Sequence, residues 1–285
     1  MAVSVSPILE PDLPRVAEFL HRELNGRLSP QAWQASMRVP WSVDAPNFGY
    51  LLESDSAVVG AYLAFYSSRL IDGAVERFCN LGAWCVLPPY RFSGLRLLKA
   101  LLDQPGYHFT DLSPSGSVVP LNQRLGFAFL ETETALAPNL PWPTLPGGPR
   151  VSSDPRVIEA SLSGEDLRRY RDHVGTAAAR HLVVTDAAAA CHVVFRRDRR
   201  RNLPLFATIL YVSDRDLFGR AWPAVSRHLL VRHAIPVTLA ETRVVGRRPR
   251  ASLSLAAHRR KMYRSTGLKP DQIDYLYSEL VCVDW

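Results

Sequence analysis

Apolar residues in the first 130 positions switch between two periods. Val3 to Leu9 reads as a strand, and Val16, Phe19, Leu20 and Leu24 then recur at helical spacing behind the start signal Pro11-Asp12-Leu13-Pro14. Asn25-Gly26 stops that helix, and Ser29-Pro30 supplies the N-cap and first-turn proline of a second, with Trp33 and Met37 one turn apart. Asn47 to Glu53 and Ala57 to Ser67 read as two strands joined by Ser54-Asp55-Ser56. After a loop over 69–75, Phe78 to Val86 is rich in strand-forming residues, and Leu95, Leu97, Leu98, Leu101 and Leu102 make a helical stripe straight after it. Tyr107 to Leu112 predicts a fifth strand, and Asn122 to Phe127 a helix closed by Gly126 as C-cap.

Residues 137–155 contain six prolines along with Gly147-Gly148, so an extended connector is expected there, dividing a domain over 1–136 from one over 156–285. Beyond it the same succession of elements returns. Strands are expected at Val157 to Leu162, Ala190 to Arg196, Leu205 to Ser213, Pro236 to Arg243 and Tyr275 to Val283, with helices at Glu165 to Asp172, Leu217 to Val231 and Leu253 to Tyr263. Two α/β domains follow, each a mixed, mostly antiparallel sheet flanked by helices.

The 285 residues are 47% hydrophobic and 21% charged, which suits packed cores in both halves. Charge is divided unevenly. Residues 1–150 carry 11 Lys and Arg against 13 Asp and Glu, so the net +7 arises from the second half. Arginine-rich surface is usually solvated, so nucleic acid is not expected as the partner. Cys79, Cys85, Cys191 and Cys282 lack metal-ligand spacing and a disulfide framework, and no metal is expected. No secretory leader or membrane-length apolar run is read, and a reducing cytoplasm is the expected location.

The chemistry concentrates at Val86-Leu87-Pro88-Pro89-Tyr90-Arg91-Phe92-Ser93-Gly94-Leu95-Arg96, where a strand turns into a helix. The first N–H groups of a helix lack internal partners and carry partial positive charge, so such a turn suits a phosphate. The stretch resembles the pyrophosphate loop of the GNAT superfamily of N-acyltransferases, Val-x-Pro-x-Tyr-Arg-x-x-Gly-x-Gly/Ala. Val86, Pro88, Tyr90, Arg91 and Gly94 fall in register, and Arg96 replaces the last small residue. Leu125-Gly126-Phe127 is similar to the end of a later family signature, with Asn122 where many members carry a tyrosine that protonates the leaving thiolate. The resemblance covers nearly all of the first half.

That resemblance implies acetyl-CoA or a longer acyl-CoA as co-substrate, faced by Cys85, Val86, Arg91, Phe92, Ser93, Gly94, Leu95, Arg96 and Asn122. It implies an amine acceptor, a small molecule or peptide, with Trp33, Trp41 and Trp84 lining its site. Direct transfer needs a proton acceptor and a donor. Glu76 on the fourth strand, Ser115 and Asn122 are the candidates, and His108 is expected beside Ser115 where the fourth and fifth strands part. The second half is expected to be a degenerate copy, since Asp214 and Asp216 stand where its phosphate turn should fall and would repel a pyrophosphate. Arg196, Arg197, Arg199, Arg200 and Arg201 gather at its hairpin tip, while His228, His233 and His258 have no ligand spacing. Glu279 is an unusual charge in the closing strand, where edge placement is expected. Two other readings share the fold: an aminoacyl-tRNA-dependent transferase, and a non-catalytic binding protein.

Overall fold

The computed structural model describes residues 3–143, 146–200, 203–255 and 259–285, with the side chain of Arg200 left aside. Arg201 and His258 lie outside the described residues.

The chain forms two compact units. In the first, β1 (Val3–Pro7) leads to α1 (Leu13–Glu23) and α2 (Pro30–Met37), and then to three long strands. These are β2 (Gly49–Ser54), β3 (Ala57–Ile71) and β4 (Ala74–Val86). A six-residue 3-10 turn over Pro88–Ser93 opens into α3 (Gly94–Leu102), followed by β5 (His108–Asp111), α4 (Val119–Arg124) and β6 (Ala128–Phe129). Apolar spacing sets which faces are buried: Val16, Phe19 and Leu20 of α1 and Leu97, Leu98 and Leu101 of α3 are buried. The α3 face packs with Tyr62, Tyr66, Leu81 and Phe109 of the strands in one cluster. Each such side chain contributes roughly 1.5–3 kcal/mol on burial.

The second unit begins earlier than expected, with β7 (Thr134–Pro138), β8 (Arg150–Ser152), α5 (Pro155–Ser161) and α6 (Gly164–His173). Next come β9 (Arg180–Thr185), β10 (Ala190–Arg200), β11 (Leu203–Val212), α7 (Arg215–Arg220), α8 (Trp222–His233), β12 (Val237–Glu241), α9 (Thr242–Val245) and β13 (Leu253–Ser254). The chain then returns to the first unit with β14 (Met262–Arg264) and α10 (Glu279–Cys282).

Among the described residues each unit holds a seven-stranded sheet. The first runs β1-β2-β3-β4-β5-β14-β6 and the second β13-β7-β12-β11-β10-β9-β8. Each has one parallel pair, β4 with β5 and β11 with β12, among antiparallel neighbours. The pairing of β14 with β5 and β6 and of β7 with β12 corrects the division at 137–155. The first unit comprises 1–130, 260–273 and 277–285, and the proline-rich stretch belongs to the second, spanning the end of β7 and all of β8.

Several elements differ from expectation: the helix expected over Leu217 to Val231 is split into α7 and α8, and β3 and β4 extend into the loop expected over 69–75. Val157 to Leu162 falls in a helix because Asp154 accepts the Arg156 N–H and Pro155 starts the turn. Leu253 to Tyr263 is not helical among its described residues but supplies β13 and the start of β14. Tyr275 to Val283 is no strand, since Ser278 caps the short α10 through the Leu280 N–H.

In the second unit His181 and His192 stack with ring centroids 5.3 Å apart and nitrogens 3.1 Å apart. Burial pulls His181 down to about 4 and His192 to about 2. Both folded values lie below the unfolded value of 6.5, so the unfolded chain binds more protons as pH falls. Each ring therefore removes up to about 1.4 kcal/mol of stability per pH unit below 6.5. His192→Phe is expected to flatten the fall in urea midpoint between pH 6.5 and 5.

Candidate active site

The parallel pairing of β4 with β5 runs from Phe78 opposite His108 to Leu81 opposite Asp111. There β5 ends, while β4 continues through Gly82, Ala83, Trp84 and Cys85 to Val86 with β3 as its sole strand neighbour among the described residues. Along this stretch Gly82 faces Leu63 and Cys85 faces Ala61, so β4 holds one extra residue, and Ala83 takes φ +55°. A bulge of this kind leaves a residue out of the ladder and re-aims its neighbours. The strand edge is therefore open beside the turn that leads to α3.

The turn carries no side-chain cap. Ser93 precedes α3 without accepting from it, and the first turn of α3 contains no acidic residue. Gly94 has ordinary helical dihedrals, so its role is space: a Cβ would lie 3.3 Å from Val86 Cγ2 and 3.6 Å from Trp84. Arg96 points away, donating from Nη1 to the Val3 carbonyl at 2.7 Å, which leaves the turn clear of its long side chain. Arg91, Phe92 and Leu95 are exposed. In the second unit the equivalent helix α7 is closed by its own chain, because Asp214 Oδ1 accepts the Leu217 N–H at 2.8 Å. That N-terminus already holds a carboxylate. Asp214→Ala is expected to cost about 1 kcal/mol, read as a shift of the urea midpoint.

Buried polar groups gather where β5 ends. Glu279 of α10 is fully buried, its backbone N–H donates to Asn80 Oδ1 at 2.9 Å, and Ser113 Oγ donates to Oε1 at 2.7 Å. Its Oε2 has no hydrogen-bond partner among the described residues. Gly82 makes room for it: a Cβ there would meet Glu279 Cβ at 2.9 Å. Burial, reinforced by the charge of Asp111 against the Ser113 bond, lifts the Glu279 carboxyl to about 7. Burial likewise lifts Asp111 to about 6, against the Asn122 Nδ2–H that it accepts at 2.8 Å. The Tyr62 hydroxyl is raised well above its ordinary value by burial and by these two carboxyls. Tyr62 stacks on Trp84 at 4.7 Å, and the buried Trp84 Nε1 has no hydrogen-bond partner among the described residues.

Of the residues singled out in the sequence, Cys85, Val86, Gly94 and Trp84 come together at the parting, and Asn122 borders it through Asp111. Glu76 does not. It lies ten positions before Val86 on the same strand, about 30 Å away at the usual rise. There it contacts His108, Nε2 to Oε2 at 2.8 Å, and His108 Nδ1 contacts Ser265 Oγ. His108 therefore opens β5 rather than closing it, at the end opposite the parting. Ser115 is exposed and bonds Ser117. Trp33 and Trp41 are buried in the core of the unit: Trp41 donates to the Tyr66 carbonyl and packs edge-on against Tyr277. Cys85 is half-buried and its thiol is pushed up to about 11, so it is a neutral thiol at pH 7.

Glu279 is the residue that sequence reasoning misplaced. Its signal was a single carboxylate inside the run Leu276 to Val283, apolar apart from Ser278, which reads equally as an edge strand.

No family model and no curated protein matches the sequence. Among solved structures, the GCN5-related N-acetyltransferase from Anabaena variabilis superposes with a TM-score of 0.58 at 10% identity, over 92% of this chain and 72% of that one. The chain has the GNAT fold. A putative acetyltransferase from Pyrococcus horikoshii is similar over 96% of this chain and 93% of its own, with a TM-score of 0.55 at 12% identity. Saccharomyces cerevisiae N-myristoyltransferase with bound myristoyl-CoA is similar over 100% of this chain and 86% of its own, with a TM-score of 0.50 at 10% identity. At these identities the likeness is one of GNAT architecture. No helix among the described residues is long and apolar enough to cross a membrane.

Proposed function

We propose that the protein transfers an acyl group from acyl-CoA to an amine, with the β4–β5 parting of the first unit as the active site. The observation that carries this reading is Glu279: a buried carboxyl with one unpartnered oxygen, set against the open, bulged edge of β4. A buried carboxylate lifted to about 7 is poised to take a proton near neutral pH. Acyl-CoA brings a thioester carbonyl open to attack, and its pyrophosphate suits the start of α3, which holds no side-chain cap and no acidic residue. The unpaired backbone of the bulge supplies N–H groups to polarise the carbonyl.

Balanced in atoms, the acceptor amine forms a C–N bond, the C–S bond breaks, and the ammonium proton passes to Glu279. The departing thiolate has an ordinary pKa near 8.5 and takes its proton from water. Asn122, which cannot donate a proton, is then a positioning residue that holds Asp111. The second unit, its α7 turn closed by Asp214, does not use acyl-CoA. An acetyl or longer chain and a small-molecule or peptide amine fit equally, and four free cysteines suit a reducing cytoplasm.

The test is thermal stability with acetyl-CoA and longer acyl-CoAs, because a ligand bound by the folded state alone raises stability by mass action. Stabilisation that grows with one acyl length identifies the donor, and no response to any acyl-CoA refutes the reading. With the donor in hand, kcat/KM is expected to rise with pH and level off above about 7, as Glu279 loses its proton.

A further inference from the structure

The second unit contains a cavity of about 520 Å³ between the α7–α8 junction and the turn over 247–250. Four arginines line it, Arg220, Arg247, Arg248 and Arg250, with no Asp or Glu in the lining. Arg220 pairs with Asp186 at 3.2 Å, and Arg248 donates to the Ser252 carbonyl. Arg247 and Arg250 form no ion pair among the described residues. Like charges held round one concavity repel, and a bound anion removes that repulsion.

The arginines are also positioned by backbone. A Cβ on Gly219 would lie 2.6 Å from both Nε and Nη2 of Arg247, so the guanidinium lies directly over the glycine. One turn residue away, Gly246 takes φ +81°, with the Arg215 side chain packed against it and Arg215 Nε donating to the Val244 carbonyl. Two glycine–arginine contacts thus lock α7 to the turn and hold Arg247 without a carboxylate. The volume is that of a small-molecule pocket, with the apolar side chains of Phe218 and Trp222 contributing to its wall.

We infer that this cavity is a second ligand site, taking a phosphate-bearing small molecule of nucleotide size. Planar guanidinium forks match di- and triphosphates in geometry as well as charge. The site does not repeat the acyl-CoA turn, which in this unit falls at the other end of α7 and is closed by Asp214. The inference stands apart from the acyltransferase reading.

The experiment is calorimetric titration of the full chain with inorganic pyrophosphate and with ATP, in a Gly94→Glu background so that the α3 turn of the first unit does not compete. Pyrophosphate and ATP are expected to bind and adenosine is not. Arg247→Ala combined with Arg250→Ala, both exposed positions, is expected to raise Kd by about tenfold or more. Gly219→Ala displaces a flexible guanidinium rather than backbone and is expected to raise Kd several-fold. Arg171→Ala, at an exposed pair with Glu159, serves as the charge control and should change Kd by less than about twofold. The inference is overturned by no heat from either phosphate at millimolar concentration, by equal weakening in Arg171→Ala, by unchanged affinity in the Arg247 and Arg250 double variant, or by binding of an RNA oligomer alone.

Discussion

Glu279→Gln is expected to lower kcat by roughly 10²- to 10⁴-fold, the usual contribution of a positioned proton acceptor, while acyl-CoA affinity stays unchanged. Gln keeps the shape and still pairs with Ser113, so packing around Gly82 is retained. The same substitution is expected to stabilise the protein at alkaline pH. A carboxyl whose folded pKa is raised, here from 4.5 to about 7, binds its proton more tightly in the folded chain. Its contribution is most favourable below about 4.5 and is lost as pH climbs through 7, a cost on the order of 3 kcal/mol above that range. Glu279→Gln removes the ionisation, so its urea midpoint should exceed that of the wild type at pH 8 and match it at pH 4.5. A variant that loses activity while gaining alkaline stability separates a functional carboxylate from a structural one; equal loss of both would make Glu279 a packing residue.

Gly94→Glu is expected to abolish acyl-CoA stabilisation. The change puts a carboxylate at the start of α3, which has no side-chain cap and no acidic residue in its first turn, and so resembles what Asp214 does to α7. Its Cβ meets Val86 Cγ2 at 3.3 Å, so some stability is lost as well. Gly94→Ala adds the same Cβ without the charge and isolates the two effects. In thermal shift at saturating acyl-CoA the wild type should gain about 3–4 kcal/mol, Gly94→Ala most of that, and Gly94→Glu none. Full stabilisation of Gly94→Glu would move the pyrophosphate elsewhere.

How far the sequence revealed these features depends on the range of the contacts behind them. The succession β4, turn, α3 was legible because strand residues, glycine and leucine stripe lie within 25 positions and each signal is local. The glycine C-cap after α4 was legible for the same reason. The exchange of β14 and β7 was not, because β14 is three residues long and its partners β5 and β6 lie more than 130 positions earlier. Nothing in Met262-Tyr263-Arg264 marks a strand inserted into a distant sheet. The proline-rich 137–155 misled because proline density signals an extended chain whether it links domains or edges a sheet, and β8 is such an edge. Glu76 and His108 were misplaced by one fact: parallel strands put both N-termini at the same end, so they meet each other there and face away from the turn. Trp33 and Trp41 show the reverse error, two aromatics suited to a groove that satisfy their N–H groups internally and fill the core instead.

The most direct test is hydrogen–deuterium exchange on the full chain with and without the acyl-CoA that stabilises it best. Slower exchange is expected at the amides of 82–86 and 91–96 and around Ser113, with 214–220 of the second unit unchanged. Protection confined to 214–220, or none in 82–96 despite stabilisation, would contradict a site at the β4–β5 parting.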